Sequence, residues 1–212
     1  MMQEEINELI AKAEGGDAEA QLALAYHYCD EAEKKLALFQ SLPSGSPNLK
    51  GAAVMWDKNP ITDAVNEDRR RAFLWFEKAA GLGSVEALYE LSVCYERGAG
   101  TPSFPEKARK LLEQAANAGY MPAQYDFGML YLYGKTNTAG EKEFPKDEAL
   151  AVKWLLKAAE QGDSLAQYQL GECFEEGTGV EANEETAIAW YEKSAERGNE
   201  LAYQALERLK EE

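Results

Sequence analysis

Residues 157–171 read KAAEQGDSLAQYQLG, a stretch that joins the end of one amphipathic helix to the start of the next through Gly162. The same joint recurs along the chain, because a glycine is followed four residues later by an alanine at five places. The pairs are Gly16 and Ala20, Gly83 and Ala87, Gly119 and Ala123, Gly162 and Ala166, and Gly198 and Ala202. Glycine closes a helix in the left-handed conformation, and small side chains let two helices approach closely. The recurrence predicts a protein built of helical repeats.

The spacing of these joints gives the length of each repeat. Successive joint alanines lie 67, 36, 43 and 36 residues apart. The first repeat therefore carries about 31 residues more than the shortest ones, and we expect them as a long, loose insert at about residues 30–67. The third repeat carries about 7 extra residues, expected at 136–143.

Apolar residues at helical spacing between the joints predict ten helices in one domain of 212 residues. Four repeats of two helices each cover residues 17–83, 84–119, 120–162 and 163–198, while residues 1–16 and 199–212 each supply a capping helix. Trp75, Trp154 and Trp190 recur in the second helices. We expect these tryptophans to be buried wedges between helices, because aromatic rings dominate helical cores.

Two segments of the fourth repeat identify a family. Residues 166–180 read AQYQLGECFEEGTGV and residues 187–198 read AIAWYEKSAERG. Together they resemble the Sel1-like repeat (SLR), a relative of the tetratricopeptide repeat, and the resemblance covers nearly the whole chain. The first repeat departs from the pattern, since Glu31 stands where the family has a glycine between its helices. The resemblance implies an all-α fold, a right-handed α/α superhelix (solenoid) that binds a protein or peptide.

The charge of the chain narrows the possible partners. With 38 acidic and 22 basic residues the net charge is −16, which argues against nucleic acid and against an anionic membrane. A cationic protein or peptide remains compatible. No apolar run approaches the roughly 20 residues of a membrane span. The acidic start MMQEE does not resemble a signal peptide, so we expect a cytoplasmic protein.

Motifs for catalysis, cofactors and metals are weak. The runs GAGT at 98–101 and GTGV at 177–180 contain paired glycines, but each follows a helix, and a phosphate loop needs a preceding strand. We expect both to be turns. His27 is the only histidine, and its neighbours lack the spacing of a zinc site. Three widely spaced cysteines, Cys29, Cys94 and Cys173, do not form a disulfide framework. The sequence thus predicts no enzyme, no cofactor and no metal.

One face of the first helices suggests a binding surface. Counting the joint alanine as zero, positions 0, +4 and +8 point into the stack, and positions +2, +6 and +9 lie on the opposite face. The resemblance implies that this opposite face lines a concave groove. Three successive repeats have tyrosine at +2, with acids nearby, and tyrosine is a common interface anchor. The predicted partner-binding residues are Tyr89, Glu90, Tyr125, Asp126, Met129, Tyr133, Tyr168, Gln169, Glu172 and Glu176.

Several alternatives stay open from the sequence. The tyrosines could instead pack between neighbouring repeats and leave no open groove. The favoured function is a non-enzymatic adaptor or scaffold, monomeric, that binds a protein or peptide. One alternative is a bacterial immunity or inhibitor protein that neutralises a basic toxin. Another is a small enzyme with its site in the insert, where Val54-Met55-Trp56 forms an apolar cluster.

Overall fold

A computed structural model describes residues 3–41, 60–136 and 142–211 of the chain. Those residues contain ten helices and one antiparallel pair of short strands, β1 (Lys135–Thr136) and β2 (Lys142–Phe144). The helices are α1 Gln3–Glu14, α2 Ala18–Ser41, α3 Pro60–Gly81, α4 Val85–Arg97, α5 Pro105–Asn117, α6 Met121–Tyr133, α7 Glu148–Glu160, α8 Ser164–Glu176, α9 Glu184–Glu196 and α10 Glu200–Glu211. Helices α1 to α4 each pack against the next helix in sequence, and so do helices α6 to α10. The predicted all-α class is confirmed.

The joints between helices have the chemistry that their sequence suggests. Gly162 has φ 97°, a left-handed conformation that glycine adopts without strain. The side chain of Asp163 then accepts a hydrogen bond of 2.8 Å from the amide of Ala166 and so caps α8. Ser84 caps α4 in the same way, at 3.2 Å from the amide of Ala87. Each cap brings its joint alanine into the core, where Ala87 and Ala166 are fully buried.

The chain divides into two compact units, Met1–Leu111 and Leu112–Glu212, and the boundary falls within α5. Unit 1 departs from the expectation of a loose insert. Residues 30–41 continue α2 and residues 60–67 begin α3, so both ends of the insert are helical. Ala32 and Val65 are buried, and Lys35 forms an ion pair with the buried carboxylate of Asp68. These contacts extend the pairing of α2 and α3. Residues 42–59, which include Trp56, lie outside the described residues.

In unit 2 two short strands flank the segment where the extra residues of the third repeat were expected, and residues 137–141 of that segment lie outside the described residues. β1 and β2 pair just after α6. The amide of Asp147 then donates a hydrogen bond of 2.8 Å to the carbonyl of Tyr131. In the fourth repeat, which has no insertion, Asn183 bonds the carbonyl of Phe174 at 2.7 Å. Those two carbonyls occupy equivalent positions, eight residues after the joint alanine. The chain therefore enters the second helix from the same anchor with or without the extra residues.

The tryptophans pack against the core as expected, but they are not its fully buried wedges. Trp75, Trp154 and Trp190 are only partly buried, and a lysine three residues on covers each ring. The lysine nitrogens lie 3.7, 3.7 and 3.9 Å from the ring centroids. The buried wedge is the next residue in each helix: Phe76, Leu155 and Tyr191 are at most 1% exposed. One residue advances a helix by about 100°, so the buried side chain and its lysine-covered neighbour lie on different faces.

Candidate functional site

The predicted partner-binding residues are divided between the two units. Tyr89 and Glu90 lie on α4 of unit 1, whereas the other eight lie on α6 and α8 of unit 2. Within unit 2 the structure brings Tyr133, which ends α6, together with three residues of α8. These four line one cleft, which we call the unit 2 cleft. Its lining includes Leu132, Tyr133, Lys146, Gln169, Glu172 and Glu176.

The unit 2 cleft is small and polar. It encloses about 200 Å³ between the end of α6, the start of α7 and the C-terminal half of α8. Tyr133 is 66% exposed at its edge, the highest exposure among the large apolar side chains described. Lys146 is paired with Glu148 at 2.7 Å, and Glu176 is exposed. The cleft thus combines an accessible aromatic ring with carboxylates.

The carboxylate of Glu172 is held in place by its own helix. The hydroxyl of Tyr168 donates to Glu172 Oε1 at 2.7 Å, and Gln169 Nε2 donates to Oε2 at 2.7 Å. Burial, together with this carboxylate, raises the pKa of Tyr168 to about 12. Tyr168 is therefore protonated at physiological pH and donates a hydrogen bond to Glu172, so its hydroxyl already has a partner within the protein. Tyr168 also lies 5.6 Å from the buried ring of Tyr191.

Other predicted residues contribute to packing. Tyr125 and Met129 pack against the hydrophobic core of unit 2, and neither is among the residues that line the unit 2 cleft. Burial raises the pKa of Tyr125 above its usual range, and the charge on Asp163 adds to the rise. Asp126 is half-buried and makes polar interactions of its own. Tyr125 is therefore packed inside the protein, which is the alternative to an open groove that the sequence left open.

Glu175, an acid of α8 that was not among the predicted residues, has its partners within the protein. Glu175 of α8 receives the guanidinium of Arg208 at 2.7 Å and the hydroxyl of Tyr191 at 2.7 Å. A carboxylate bonded to an arginine and a phenol has little capacity left for a partner. The sequence offered no signal for this contact, because Arg208 and Glu175 are 33 residues apart.

Unit 1 contains a larger cleft, which we call the unit 1 cleft. It encloses about 840 Å³ between α2, α3 and α4. Its lining includes Tyr26 and Cys29 of α2, Arg69 of α3, and Glu90, Cys94 and Arg97 of α4. Of the predicted partner-binding residues, only Glu90 lies in this cleft. The cleft was not expected from the sequence, because it depends on how α2 packs beside helices that follow about 40 residues or more later.

Tyr26 and two glutamates form a hydrogen-bonded cluster at the unit 1 cleft. The Tyr26 hydroxyl lies 2.7 Å from Glu86 Oε1 and 3.0 Å from Glu90 Oε1. Burial and the two acids raise the pKa of Tyr26 well above its usual range. Burial also raises the pKa of Glu90; the charge on Glu86 adds to that rise, whereas the bond from Tyr26 opposes it. Glu90 is therefore engaged by Tyr26 within the protein.

The paired glycines have a structural role. A Cβ atom at Gly100 would lie 2.2 Å from the carbonyl oxygen of Arg69, and one at Gly179 would lie 2.3 Å from that of Glu148. Both glycines also have positive φ angles, so each turn requires glycine for conformation and for space. Each turn presses against the backbone of a second helix, α3 or α7. This contact accounts for the motif without a nucleotide.

Among the residues that the structure describes, no three histidine, cysteine or acidic side chains are grouped to hold a metal ion. The three cysteines are free thiols, and burial raises the pKa of Cys94 and Cys173 to about 12 and that of Cys29 to about 11. None of the helices described is both long and apolar enough to span a lipid bilayer.

Two curated proteins share sequence with the chain. DAP3-binding cell death enhancer 1 of Rattus norvegicus is 34% identical over 154 residues, which cover 55% of this chain and 28% of the relative. The chitin synthase regulator SKT5 of Saccharomyces cerevisiae is 37% identical over 113 residues, which cover 52% of this chain and 16% of the relative. The chain thus spans less than a third of the length of these relatives.

Two crystal structures have the same fold. A Sel1 repeat protein from Oxalobacter formigenes is 36% identical, with a TM-score of 0.60, and the match covers 65% of this chain and 98% of that protein. The protective antigen c5321 of uropathogenic Escherichia coli, which displays an SLR fold, is 31% identical, with a TM-score of 0.67 over 93% of this chain and 34% of that protein. The SLR solenoid fold implied by the sequence is confirmed.

The family model for the Sel1 repeat matches residues 18–34, 62–84, 85–120, 122–163 and 164–199. These matches cover more than half of the chain, and the second and third meet at the joint before Val85. The gap between the first two contains the residues that extend α2 and α3 beyond the repeat. The chain therefore belongs to the Sel1 repeat family.

Proposed function

We propose that the chain is a non-enzymatic interaction module that binds a protein or peptide at the unit 2 cleft. The observation that carries this proposal is the position of Tyr133, which is 66% exposed beside the carboxylates of Glu172 and Glu176. An exposed tyrosine offers a large apolar ring and a hydroxyl, and tyrosine is among the residues that contribute most to binding energy at interfaces. Glu172, oriented by Tyr168 and Gln169, presents a fixed charge beside the ring.

The relatives support an interaction role. One is named for binding DAP3 and the other as a regulator of chitin synthase. Because the chain spans only a small part of either protein, these names support the class of function rather than the particular partner. Helical repeats supply extended surfaces, and their specificity resides in the side chains that each surface presents.

Charge favours a cationic partner for unit 2. Residues 112–212 contain 20 acidic and 9 basic side chains, so this unit carries −11 of the net charge of −16. A negative field of this size speeds the approach of a basic partner and slows that of an acidic one. A basic toxin neutralised by an immunity protein would be one such partner. The alternative of an enzyme site in the insert at about residues 30–67 involves the apolar cluster Val54-Met55-Trp56, which lies outside the described part of the chain.

Site-specific photo-crosslinking tests the proposal. A benzophenone amino acid would replace Tyr133 in one variant and Lys153, exposed on α7, in a matched control. Both proteins would be irradiated in lysate of the source cells, and cross-linked partners would be identified by mass spectrometry. We expect a defined product from position 133 that is absent from position 153. Identical products from both positions would contradict binding at the unit 2 cleft.

A further inference from the structure

We propose that the unit 1 cleft binds a carboxylate group of a partner peptide between the guanidinium groups of Arg69 and Arg97. This site is separate from the unit 2 cleft, and its ligand has the opposite charge. The two arginines come from different helices, Arg69 from α3 and Arg97 from the last turn of α4, and both line the same cleft.

The first observation concerns which arginines form ion pairs with carboxylates. Arg71 bonds Glu67 at 3.1 Å, Arg109 bonds Glu106 at 2.7 Å, and Arg208 bonds Glu175 at 2.7 Å. Among the residues described, Arg69 and Arg97 form no ion pair, which is also true of Arg70 and Arg197. What sets Arg69 and Arg97 apart is that both line one cleft. A guanidinium offers a planar fork of donors that matches a carboxylate. These two forks are open to a ligand.

The second observation is that the backbone segments that carry the two arginines are in direct contact. The turn after α4 contacts the α3 backbone so closely that a Cβ atom at Gly100 would lie 2.2 Å from the carbonyl oxygen of Arg69. Arg97 is the last residue of α4. The next residue, Gly98, caps the helix in a left-handed conformation and begins that turn. The backbones that carry both guanidiniums are thus held together, which is the pre-organisation that a binding site needs.

None of the acids of the cleft forms an ion pair with either arginine, although the charge of Arg97 acts on Glu90 and opposes the rise in pKa that burial causes there. Asp30 is paired with Lys34 at 3.1 Å, and Glu90 accepts the Tyr26 hydroxyl at 3.0 Å. Glu33 is exposed on α2. These acids and the negative end of the α4 dipole oppose the binding of any anion, so the attraction for a carboxylate comes from the two arginines alone. The acids repel a dianionic phosphate more strongly than a singly charged carboxylate, so the cleft suits the side chain of aspartate or glutamate.

The floor and size of the cleft suit a peptide. Val93, Cys94 and Ala99 supply apolar surface beside the two arginines. A volume of about 840 Å³ accommodates several residues of a peptide chain, since cavities of roughly 300–1,000 Å³ take drug-sized ligands. The occupant that fits both charge and size is therefore a short peptide segment that carries an acidic side chain.

Nuclear magnetic resonance can observe the two guanidiniums directly. The full chain, labelled with ¹⁵N, would be titrated with the peptide acetyl-Gly-Glu-Glu-Gly-amide, with its glutamine counterpart, and with a phosphoserine counterpart. We expect saturable shifts of the Nε–Hε signals of Arg69 and Arg97 with the glutamate peptide and none with the glutamine peptide. Tighter binding of the phosphoserine peptide would overturn the assignment to a carboxylate. The absence of saturable shifts would overturn the site itself.

Variants complete the test. Arg69→Gln and Arg97→Gln should each weaken binding of the glutamate peptide about fivefold to tenfold, as expected for loss of a charged hydrogen bond at a partly exposed site. The matched control is Arg70→Gln, which removes the same charge from the next residue, an exposed one outside the cleft lining. If all three variants weakened peptide binding equally, the attraction would come from the overall charge of this surface and the proposed site would be overturned. A lower melting temperature for Arg97→Gln with unchanged affinity would assign Arg97 to capping of α4 alone, and would also overturn the proposal.

Discussion

Gly171 of α8 lies directly against the ring of Tyr191 of α9. A Cβ atom at position 171 would be 2.3 Å from Cε1 of that ring, and the ring is only 1% exposed. Its hydroxyl donates a hydrogen bond of 2.7 Å to Glu175, so the ring cannot move aside without breaking this part-buried bond. Gly171, which follows Leu170, therefore leaves the space that the ring of Tyr191, which follows Trp190, occupies.

The first prediction follows from this contact. Gly171→Ala should lower the free energy of unfolding by about 2–3 kcal/mol, because the added methyl overpacks a closed core. Urea denaturation followed by circular dichroism would measure the loss. Gly81→Ala is the matched control, since a Cβ atom there meets nothing within 4 Å. It should change stability by less than about 0.5 kcal/mol. Equal effects of the two changes would show that the ring does not constrain position 171.

The second prediction concerns the lysine-covered tryptophans. Lys157→Ala should cost about 0.5–1 kcal/mol by removing the cation–π contact with Trp154. In a Trp154→Leu background the same change should cost almost nothing, because no ring remains. A double-mutant cycle in urea measures the difference. Lys153→Ala, on the exposed face of the same helix, serves as the control and should be nearly neutral in both backgrounds. A cycle energy near zero would mean that the lysine does not stabilise the ring.

The third prediction uses buried glutamines that follow the joint alanine. Gln124 Nε2 donates to the Ala116 carbonyl at 3.2 Å, and its Oε1 accepts from Gln161 at 2.6 Å. Gln21 donates to the Ala13 carbonyl in the same way, but its Oε1 has no hydrogen-bond partner among the residues described. The residue that corresponds to Gln161 in unit 1 is Leu82, one position before the joint glycine.

Leu82→Gln should therefore stabilise the protein by about 1 kcal/mol, since it supplies a donor to a buried, unsatisfied oxygen. Leu82→Glu is the control, because a carboxylate has no proton to donate at neutral pH. Thermal unfolding of both variants would check the sign. A higher melting temperature in both variants, or in neither, would contradict the predicted hydrogen bond to Gln21.

The sequence predicts the features that depend on local chemistry, and it does not predict those that depend on packing between helices. The helices and their joints were predictable, because they depend on local chemistry: a glycine closing one helix, and Asp163 or Ser84 capping the next. Which aromatic residue is buried was not. Trp190 and Tyr191 are adjacent, and both suit a core, so only the packing of α9 against Gly171 decides between them.

The sites required information that no local pattern contains. Tyr26 meets Glu86 across 60 residues, and the unit 1 cleft depends on that packing. In unit 2 the set of residues predicted from helical periodicity did include Tyr133, Gln169 and Glu172, which line the cleft. The same positions also selected Tyr125, which packs against the core. Helical periodicity identifies a face, but the neighbouring helices determine which part of that face stays open.

The fourth prediction concerns alkaline pH. The pKa of Cys173 is about 12 in the folded protein, because burial disfavours the thiolate. In the unfolded chain a thiol ionises near pH 8.5. Above that pH the unfolded state holds fewer protons, so the stability that this thiol contributes is present below about pH 8.5 and is lost as the pH rises toward 12. Cys94 and Tyr168 act in the same direction, since the pKa of each is also about 12.

Urea denaturation between pH 8 and pH 11 would measure this loss. Cys173→Ala should reduce the slope of stability against pH by up to about 1.4 kcal/mol per unit, the value for one proton. Ser194→Ala, which is buried but does not titrate in this range, should leave the slope unchanged. Parallel slopes for wild type and Cys173→Ala would show that the thiol does not contribute.

The fifth prediction concerns binding at the unit 2 cleft, once a partner has been identified by cross-linking. Glu176→Lys should slow association, and the wild-type association rate should fall as salt rises, because exposed charges act over about 10 Å at 0.1 M salt. Tyr133→Ala should mainly raise the dissociation rate, with little change in salt dependence. Stopped-flow or biosensor kinetics separate the two effects.

The charge control for this experiment is Glu192→Lys on α9, which also reverses one exposed acid. If it slowed association as much as Glu176→Lys, the attraction would come from the overall field of the protein and the cleft would not be the contact face.

The anchor that follows each first helix has a consequence for how such proteins diversify. Phe104 bonds Tyr95, Asp147 bonds Tyr131 and Asn183 bonds Phe174, through equivalent carbonyls at 2.9, 2.8 and 2.7 Å. Seven additional residues in the third repeat leave this bond in place. Insertions at this point can therefore accumulate during evolution without disturbing the stack of helices. The same place, between Thr136 and Lys142, is where a foreign recognition loop could be grafted onto the scaffold.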